Sequence, residues 1–333
     1  MVTSRKTKGK KFYIGVDVGG TKISAALVGP SGQILARDKY STLQGAKPST
    51  IGCQVEDIIQ EILSDAKIKS NAIYGIGLGI PGIVDAKTNK ILVTPNIQLA
   101  GYPLSQNLRK KFRVKVLLGN DANLGLLAEK WLGAGKKAQN LVGLFLGTGV
   151  GGGIIIDGKL YTGSQGVAAE LGHMIIDINS KVLNAGLLGT LEALASRRAI
   201  ERQIREAIRA GKKTILTELT GGNLKTIKSK LIYKALKKKD PFTVRIMNDL
   251  CGVLGKACIS LRHILNPDMI IFGGGLIEAC GEYILPRVKK ISDQNPFLAG
   301  IDRCAIVQSV LGDDAVIYGA VALLKQSENK GVI

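Results

Sequence analysis

The chain has 333 residues, 45% of them hydrophobic, which is enough for two globular domains that share a cleft or for one large domain. Its net charge of +20 suits a polyanionic partner, but the basic residues are scattered, with local runs at Arg5–Lys11 and Lys234–Lys239. Because aromatic residues make up only 5%, the composition argues against a stacking surface for single-stranded nucleic acid, and we interpret the charge as solvated surface.

Targeting and redox signals are weak. Met1–Lys11 is basic and polar with no apolar stretch after it, and the longest uncharged run, Leu141–Ile156, is glycine-rich and short for a membrane span. We therefore expect a cytoplasmic protein with no membrane partner. The cysteines contain no CxxC pair and are predicted to be reduced, buried thiols. They are Cys53, Cys251, Cys258, Cys280 and Cys304.

The first predicted element is a β-hairpin over Ile14–Val28 with Gly19 and Gly20 at its turn. Glycines there let backbone N–H groups approach an anion, and Thr21 and Lys22 can donate to phosphate oxygens. Asp17, just before the turn, is placed to hold Mg²⁺ through water. A plain hairpin would show the same pattern. A Walker A loop is excluded, because it leads into a helix whereas a strand follows here.

Helices and strands then alternate, which predicts an α/β fold. Val55–Ala66 has helical spacing, and Ile73–Ile80 and Val114–Leu118 are predicted strands. Asn120-Asp121 follows the last of these and begins the predicted helix Ala122–Leu132. An Asn-Asp pair there is typical of a helix N-cap. The position is also where α/β sheets bind ligands, so Asp121 is a candidate general base.

A second hairpin, Val142–Ile156, repeats the pattern of the first, with Gly147, Thr148 and Gly149 in its turn. The repeat predicts two domains of related architecture, whose turns would hold a polyphosphate. The GxGxxG spacing here, as at Gly77–Gly82, is not a dinucleotide site because no helix follows.

The C-terminal half is predicted to be largely helical. Glu170 and His173, followed by Glu192, offer hydrogen bonds to a polyol. Long helices are predicted over Leu191–Ala210 and Phe242–Leu265, and a mobile surface segment over Gly211–Asp240. The strand Met269–Phe272 ends in Gly273-Gly274-Gly275, and a helix follows whose N-terminus is suited to a nucleotide phosphate.

In this order, the Asp17–Lys22 motif, Ile80-Pro81-Gly82, Asn120-Asp121, Gly147–Gly153 and Glu170–His173 resemble the ROK family of sugar kinases and sugar-responsive repressors. That family lies within the actin-like ATPase superfamily, and the resemblance runs from about Phe12 to about Leu324. It implies two actin-like (ribonuclease H-like) domains with a ligand cleft between them. We expect an N-terminal domain over 12–120, joined by the C-terminal helix at about 317–333, and a C-terminal domain over 121–316 that carries most contacts.

The resemblance also assigns residues. It implies Asp121 as the base, ATP with Mg²⁺ as co-substrate, and a hexose, most frequently glucose, as acceptor. The implied sugar ligands are Asn96, Asn120, Asp121, Glu170, His173 and Glu192. The implied nucleotide contacts are Gly19, Gly20, Thr21, Lys22, Gly147, Thr148, Gly149, Gly273, Gly274 and Gly275. A homodimer or homotetramer in carbohydrate metabolism (glycolysis) is expected.

Alternatives remain open at this level. Fructose, mannose, N-acetylmannosamine or N-acetylglucosamine could replace glucose, and polyphosphate could replace ATP, which the charge would suit. A DNA-binding repressor is disfavoured because about a dozen residues precede the first phosphate motif, too few for a helix-turn-helix domain. We expect no specific nucleic-acid partner.

The chain departs from the family pattern at one motif. Many members bind structural zinc through three cysteines and the histidine that corresponds to His173. Here Leu183, Ala185 and Thr190 occupy the cysteine positions, so we expect no structural zinc. Apolar packing of Leu183, Leu187 and Leu188 is predicted to hold the loop instead.

Overall fold

The computed structural model describes residues 12–224, 227–301 and 303–329, so the basic run Arg5–Lys11 lies outside the described residues. The strands are β1 Phe12–Val18, β2 Lys22–Val28, β3 Ile34–Ser41, β4 Ile73–Ile80, β5 Ile83–Asp85, β6 Lys90–Val93, β7 Lys115–Asn120, β8 Leu141–Leu146, β9 Val150–Ile156, β10 Lys159–Leu160, β11 Leu183–Asn184, β12 Leu187–Leu188, β13 Met269–Gly273 and β14 Ala305–Gln308. The α-helices are α1 Pro48–Asp65, α2 Leu104–Phe112, α3 Asp121–Trp131, α4 Leu191–Ala195, α5 Arg197–Arg209, α6 Leu216–Leu219, α7 Ser229–Lys237, α8 Pro241–Leu265, α9 Gly275–Asp293 and α10 Ala315–Asn329.

The chain divides into two compact units. Among the described residues, unit 1 comprises 12–136, 160–168 and 313–329, and unit 2 comprises the remainder between 137 and 312. The division differs from the expected boundary at residue 120. Helix α3 belongs to unit 1 because it packs against α10, the C-terminal helix.

Each unit contains a five-stranded sheet of the same design. The order is β3-β2-β1-β4-β7 in unit 1 and β10-β9-β8-β13-β14 in the other sheet. In both, an antiparallel hairpin, β1–β2 or β8–β9, adjoins parallel strands. The two predicted hairpins and the predicted mixed α/β class are therefore confirmed.

The strands β1, β2 and β4 of the unit 1 sheet are buried on both faces, whereas the edge strand β3 is partly exposed. One face packs on α1 and α2, and the other packs on α10, whose Ile317, Val321 and Leu324 are buried. Helix α10 approaches the sheet closely because β4, the strand beneath it, contains glycine at the contact. A Cβ at Gly77 would lie 2.2 Å from the Ala320 carbonyl oxygen.

Unit 2 has one large apolar core around α8 and α9. The predicted mobile surface over Gly211–Asp240 was wrong for much of its length, because α7 buries Ile232 and Ala235. The single helix predicted over Leu191–Ala210 is two helices, interrupted at Ser196, which caps α5 by accepting a hydrogen bond from the Ala199 N–H.

The cysteine prediction holds at four positions and fails at one. Cys251, Cys258, Cys280 and Cys304 are free and buried, whereas Cys53 is free but exposed on α1. No helix in the described ranges is long and apolar enough to cross a bilayer.

Candidate functional site

In unit 1, the candidate acidic residues lie where three parallel strands end. The register aligns Asp17 of β1 with Gly79 of β4, and Gly79 with Gly119 of β7. Asp121 follows as the first residue of α3, and its carboxylate accepts a hydrogen bond from the Ala122 N–H at 2.8 Å. The sheet edge thus brings the predicted base and the predicted magnesium ligand into one region of unit 1.

Asp17 ionises with difficulty. Burial, together with the nearby carboxylate of Asp121, raises the pKa of Asp17 to about 7, and the positive charge of Lys22 only partly offsets these effects. A divalent cation would favour the ionised carboxylate, so the two acids fit a Mg²⁺ ion. The described residues contain no group of three or more His, Cys, Asp or Glu with metal-binding geometry.

We expect Asp17→Asn to stabilise the unliganded protein by about 1–3 kcal/mol more at pH 8 than at pH 5. The folded-state pKa is raised from 3.8 to about 7, so wild-type protein loses stability as the pH rises through this window. The amide does not titrate and avoids that loss. Urea unfolding of both proteins at the two pH values measures the difference. The same stability difference between the two proteins at both pH values would contradict the raised pKa.

The turn between β1 and β2 is held by a neighbouring loop. The Gly19 N–H closes the turn by donating to the Lys22 carbonyl at 2.9 Å. The Thr42 hydroxyl donates to the Gly19 carbonyl at 2.7 Å, and its N–H donates to the Thr21 carbonyl at 3.0 Å. The Lys22 ammonium lies 3.2 Å from the exposed Asp313 carboxylate, a surface ion pair that a phosphate can displace.

Two predicted sugar-binding asparagines in unit 1 have structural partners. Asn120 caps α3, because its side-chain oxygen accepts the Asn123 N–H at 3.0 Å, and its side-chain nitrogen donates to the Gly82 carbonyl at 2.9 Å. Asn96 lies against the turn between β1 and β2, since a Cβ at Gly20 would be 2.8 Å from the Asn96 carbonyl oxygen. The helix-cap interpretation of Asn120 is therefore correct, and the sugar role of both stays a prediction.

In unit 2, two glycine turns share one edge of the sheet. The Gly147 N–H donates to the Gly149 carbonyl at 2.9 Å, and parallel pairing places the end of β13 beside the end of β8. Gly274 has φ +86° and caps α9, and a Cβ on it would lie 2.6 Å from the Leu146 carbonyl oxygen. Glycine is therefore required there, and the N-terminal N–H groups of α9 point to an edge suited to phosphates.

Glu192 and Arg197 stabilise the turn between β8 and β9. The Glu192 carboxylate accepts hydrogen bonds from the Val150 N–H at 2.7 Å and from the Asn184 side-chain amide at 2.9 Å. The Arg197 guanidinium donates to the Thr148 hydroxyl at 2.8 Å. Glu192, predicted to bind sugar, thus also holds the first residue of β9, and the sequence analysis missed Arg197.

The other two sugar candidates of unit 2 lie at the ends of a short 3₁₀ turn, Leu171–His173: Glu170 precedes it and His173 is its last residue. The His173 N–H donates to the Glu170 carbonyl at 3.0 Å. Partial burial raises the pKa of Glu170, the His173 charge opposes this rise, and the Glu192 carboxylate adds to it. Unit 2 therefore brings these three predicted sugar ligands together.

The segment that departs from the family pattern forms a β-hairpin, β11–β12, with Ala185 and Gly186 at positive φ in its turn. The predicted apolar packing was wrong. Leu183 is 66% exposed, and Leu187 and Leu188 are exposed as well. Burial of these side chains therefore does not order the segment.

Hydrogen bonds hold this hairpin in place. The Gly189 N–H donates to the Val182 carbonyl at 3.0 Å, and the Gly189 carbonyl accepts the Ile176 N–H at 2.9 Å. Thr190, at one of the family's cysteine positions, is fully buried, and its hydroxyl caps α4 by accepting the Ala193 N–H at 3.2 Å. Thr190 therefore serves as a helix cap at a position where the family pattern has a zinc-binding cysteine.

We expect protein purified without chelator to contain well under one zinc per chain. Leu183, Ala185 and Thr190 cannot supply thiolates, and His173 alone cannot hold the ion. Elemental analysis tests the content, and a zinc-selective chelator should leave activity unchanged when Mg²⁺ is supplied. One tightly held zinc per chain would refute this expectation.

Comparison with known proteins identifies relatives along most of the chain. The model of the ROK family matches residues 13–327. The glucokinase of Thermotoga maritima is 37% identical over 321 residues, covering 95% of this chain and 98% of that protein. The crystal structure of a ROK family glucokinase from Streptomyces griseus, in complex with glucose and AMPPNP, has a TM-score of 0.79 at 31% identity and covers 95% of this chain and 99% of its own. The xylose repressor of Caldicellulosiruptor bescii is 30% identical over 93% of this chain and 77% of its own length.

Proposed function

This chain belongs to the ROK family, and we propose on that basis that it transfers the γ-phosphoryl group of ATP to a hydroxyl of a hexose, with glucose as the leading substrate. The observation that carries the proposal is the position of Asp121. It begins α3 at the end of a parallel strand, close enough to Asp17 for its charge to raise the pKa of Asp17. A carboxylate there can accept a proton from an attacking hydroxyl.

In the proposed mechanism, Asp121 is the general base. The sugar oxygen bonds to the γ-phosphorus, the bond from that phosphorus to the β–γ bridging oxygen breaks, and the hydroxyl proton moves to the Asp121 carboxylate. Asp17 is assigned to hold Mg²⁺ through water, and that ion neutralises charge on the phosphates when bound.

The remaining proposed roles are contacts with the nucleotide phosphates and with the sugar. Backbone N–H groups of the turns at Gly19–Thr21, Gly147–Gly149 and Gly273–Gly275 are assigned to nucleotide phosphates, as is Lys22. Sugar hydroxyls are assigned to Asn96, Asn120, Glu170, His173 and Glu192. We also propose that the protein is cytoplasmic and forms a homodimer or homotetramer. Light scattering on the purified protein would test the oligomeric state.

Glucose is proposed because two of the relatives described above are glucokinases, and one of them was solved with glucose and AMPPNP. A coupled ADP-release assay over glucose, mannose, fructose, N-acetylmannosamine and N-acetylglucosamine tests the acceptor. We expect the highest kcat/KM with glucose. Faster turnover with long-chain polyphosphate than with ATP would reassign the donor, and no turnover on any sugar would overturn the proposal.

A sugar-responsive repressor is the second candidate, because the xylose repressor matches most of this chain and the net charge is +20. A mobility-shift titration at increasing salt tests it. Binding that is independent of sequence and disappears with modest salt would reflect the surface charge alone. Sequence-specific binding released by a sugar would favour the repressor.

A further inference from the structure

A cavity of about 550 Å³ within unit 2 is lined by four arginines of α5. They are Arg197, Arg198, Arg202 and Arg205. Their spacing places them within one side of the helix. Thr148 and Glu192 line the cavity as well, so it adjoins the turn between β8 and β9. Its volume is in the range of small-ligand sites.

The first two arginines stand where helix electrostatics disfavours them. They occupy the first two positions of α5, and its first turn contains no acidic residue. The N-terminal end of a helix carries partial positive charge, so a cation there is unfavourable. Contacts with Thr148 and Glu201 explain Arg197. Arg198 has no such ion pair among the described residues, and an anion beside it would offset the unfavourable charge.

Neighbouring carboxylates compensate the charge only in part. The buried Glu201 pairs with Arg197 and lies 3.6 Å from Arg205. Arg202 lies 3.6 Å from Glu206. Arg198 is exposed and forms no ion pair with any residue that the structure describes.

The remaining capacity to bind an anion lies in the arginine side chains. The backbone N–H groups of Arg197 and Arg198 already donate to the carbonyls of Gly147 and Thr148, at 3.1 and 3.4 Å. The helix end itself is therefore occupied. The planar guanidinium groups pair with phosphate oxygens through two parallel hydrogen bonds.

We propose that the α5 arginine cavity binds a phosphoryl group, as a site additional to the nucleotide turn Gly273–Gly275. The inference goes beyond the proposed kinase activity and rests on the charge and shape of unit 2. Two sources share this chemistry, an inorganic phosphate chain and a phosphate ester such as a sugar phosphate. Tripolyphosphate and glucose 6-phosphate serve as the two probes.

Isothermal titration calorimetry of the full chain with each probe, under saturating AMPPNP, measures the dissociation constant without requiring turnover. The same titrations are repeated without AMPPNP. At least one probe should bind, and Arg198→Gln should weaken it about tenfold. The matched control is Arg209→Gln, which removes the same charge from the exposed last turn of α5 and should change the dissociation constant less than twofold. Arg198 is exposed, so its variant should fold, which circular dichroism checks.

The probe whose binding is weakened by Arg198→Gln shows whether the site takes an inorganic phosphate chain or a phosphate ester. Equal weakening by the two variants would show general surface charge. Binding that occurs without AMPPNP but is lost when AMPPNP is saturating would show the nucleotide's own site. No binding of either probe, with or without AMPPNP, would mean an empty cavity. Each of these three results overturns the inference. Because binding is read directly, failure of the sugar-kinase proposal would leave this test unaffected.

Discussion

Asp121→Asn is expected to lower kcat by about 10²–10⁴-fold while the protein remains folded. The amide keeps the shape of the side chain and can still accept the Ala122 N–H, but it cannot take up the proton of the attacking hydroxyl. Because the chemical step is affected, kcat should fall far more than KM rises. Steady-state kinetics with ATP and the preferred sugar measure both values.

The control for that variant is Asp65→Asn, at the exposed last position of α1, which should turn over normally. A second readout is independent of turnover. The Asp121 charge helps to raise the pKa of Asp17, so its removal should lower that pKa, as measured by carboxyl NMR titration. Near-normal kcat in a folded Asp121→Asn protein would refute the assignment as base.

Gly319→Ala is expected to destabilise the protein by about 1–3 kcal/mol or more. Gly319 lies on α10 where that helix meets α3, and a Cβ there would lie 1.9 Å from the Leu124 carbonyl oxygen. A backbone atom cannot move aside as a flexible side chain can, so the two helices must separate. Urea unfolding followed by circular dichroism gives the change in unfolding free energy.

Gly252→Ala is the matched control for this effect and should have the opposite sign. Gly252 lies inside α8, and a Cβ there would meet nothing within 4 Å. Alanine in an open helical position is favoured over glycine by about 0.5–1 kcal/mol. If Gly319→Ala were as stable as wild type, the close approach of α10 to α3 would be contradicted.

The sequence by itself determined the elements whose causes are local. The two hairpins follow from apolar strands that flank a Gly/Thr turn, and the Gly273–Gly275 turn between β13 and α9 follows from glycine at a position that needs positive φ. Side-chain periodicity and turn chemistry act within a few residues, so one sequence can reveal them. The position of Asp121 at the start of a helix was predictable for the same reason.

The tertiary structure alone decided the contacts between residues far apart in the chain. Thr42 holds Gly19 across 23 residues, Arg197 reaches Thr148 across 49, and Asp313 pairs with Lys22 across 291. No local pattern encodes these partners, because they meet only when the packing of sheets and helices brings their elements together.

Burial shows the same limit. Leu183 was expected to pack inward because it is apolar, yet it is 66% exposed, whereas Thr190 is fully buried as a helix cap. An apolar side chain is buried only where neighbouring elements cover it, and a short two-stranded hairpin has too little surface to cover its own leucines. Which residue of this segment is covered therefore depends on the position of α4, which the segment's own sequence does not specify.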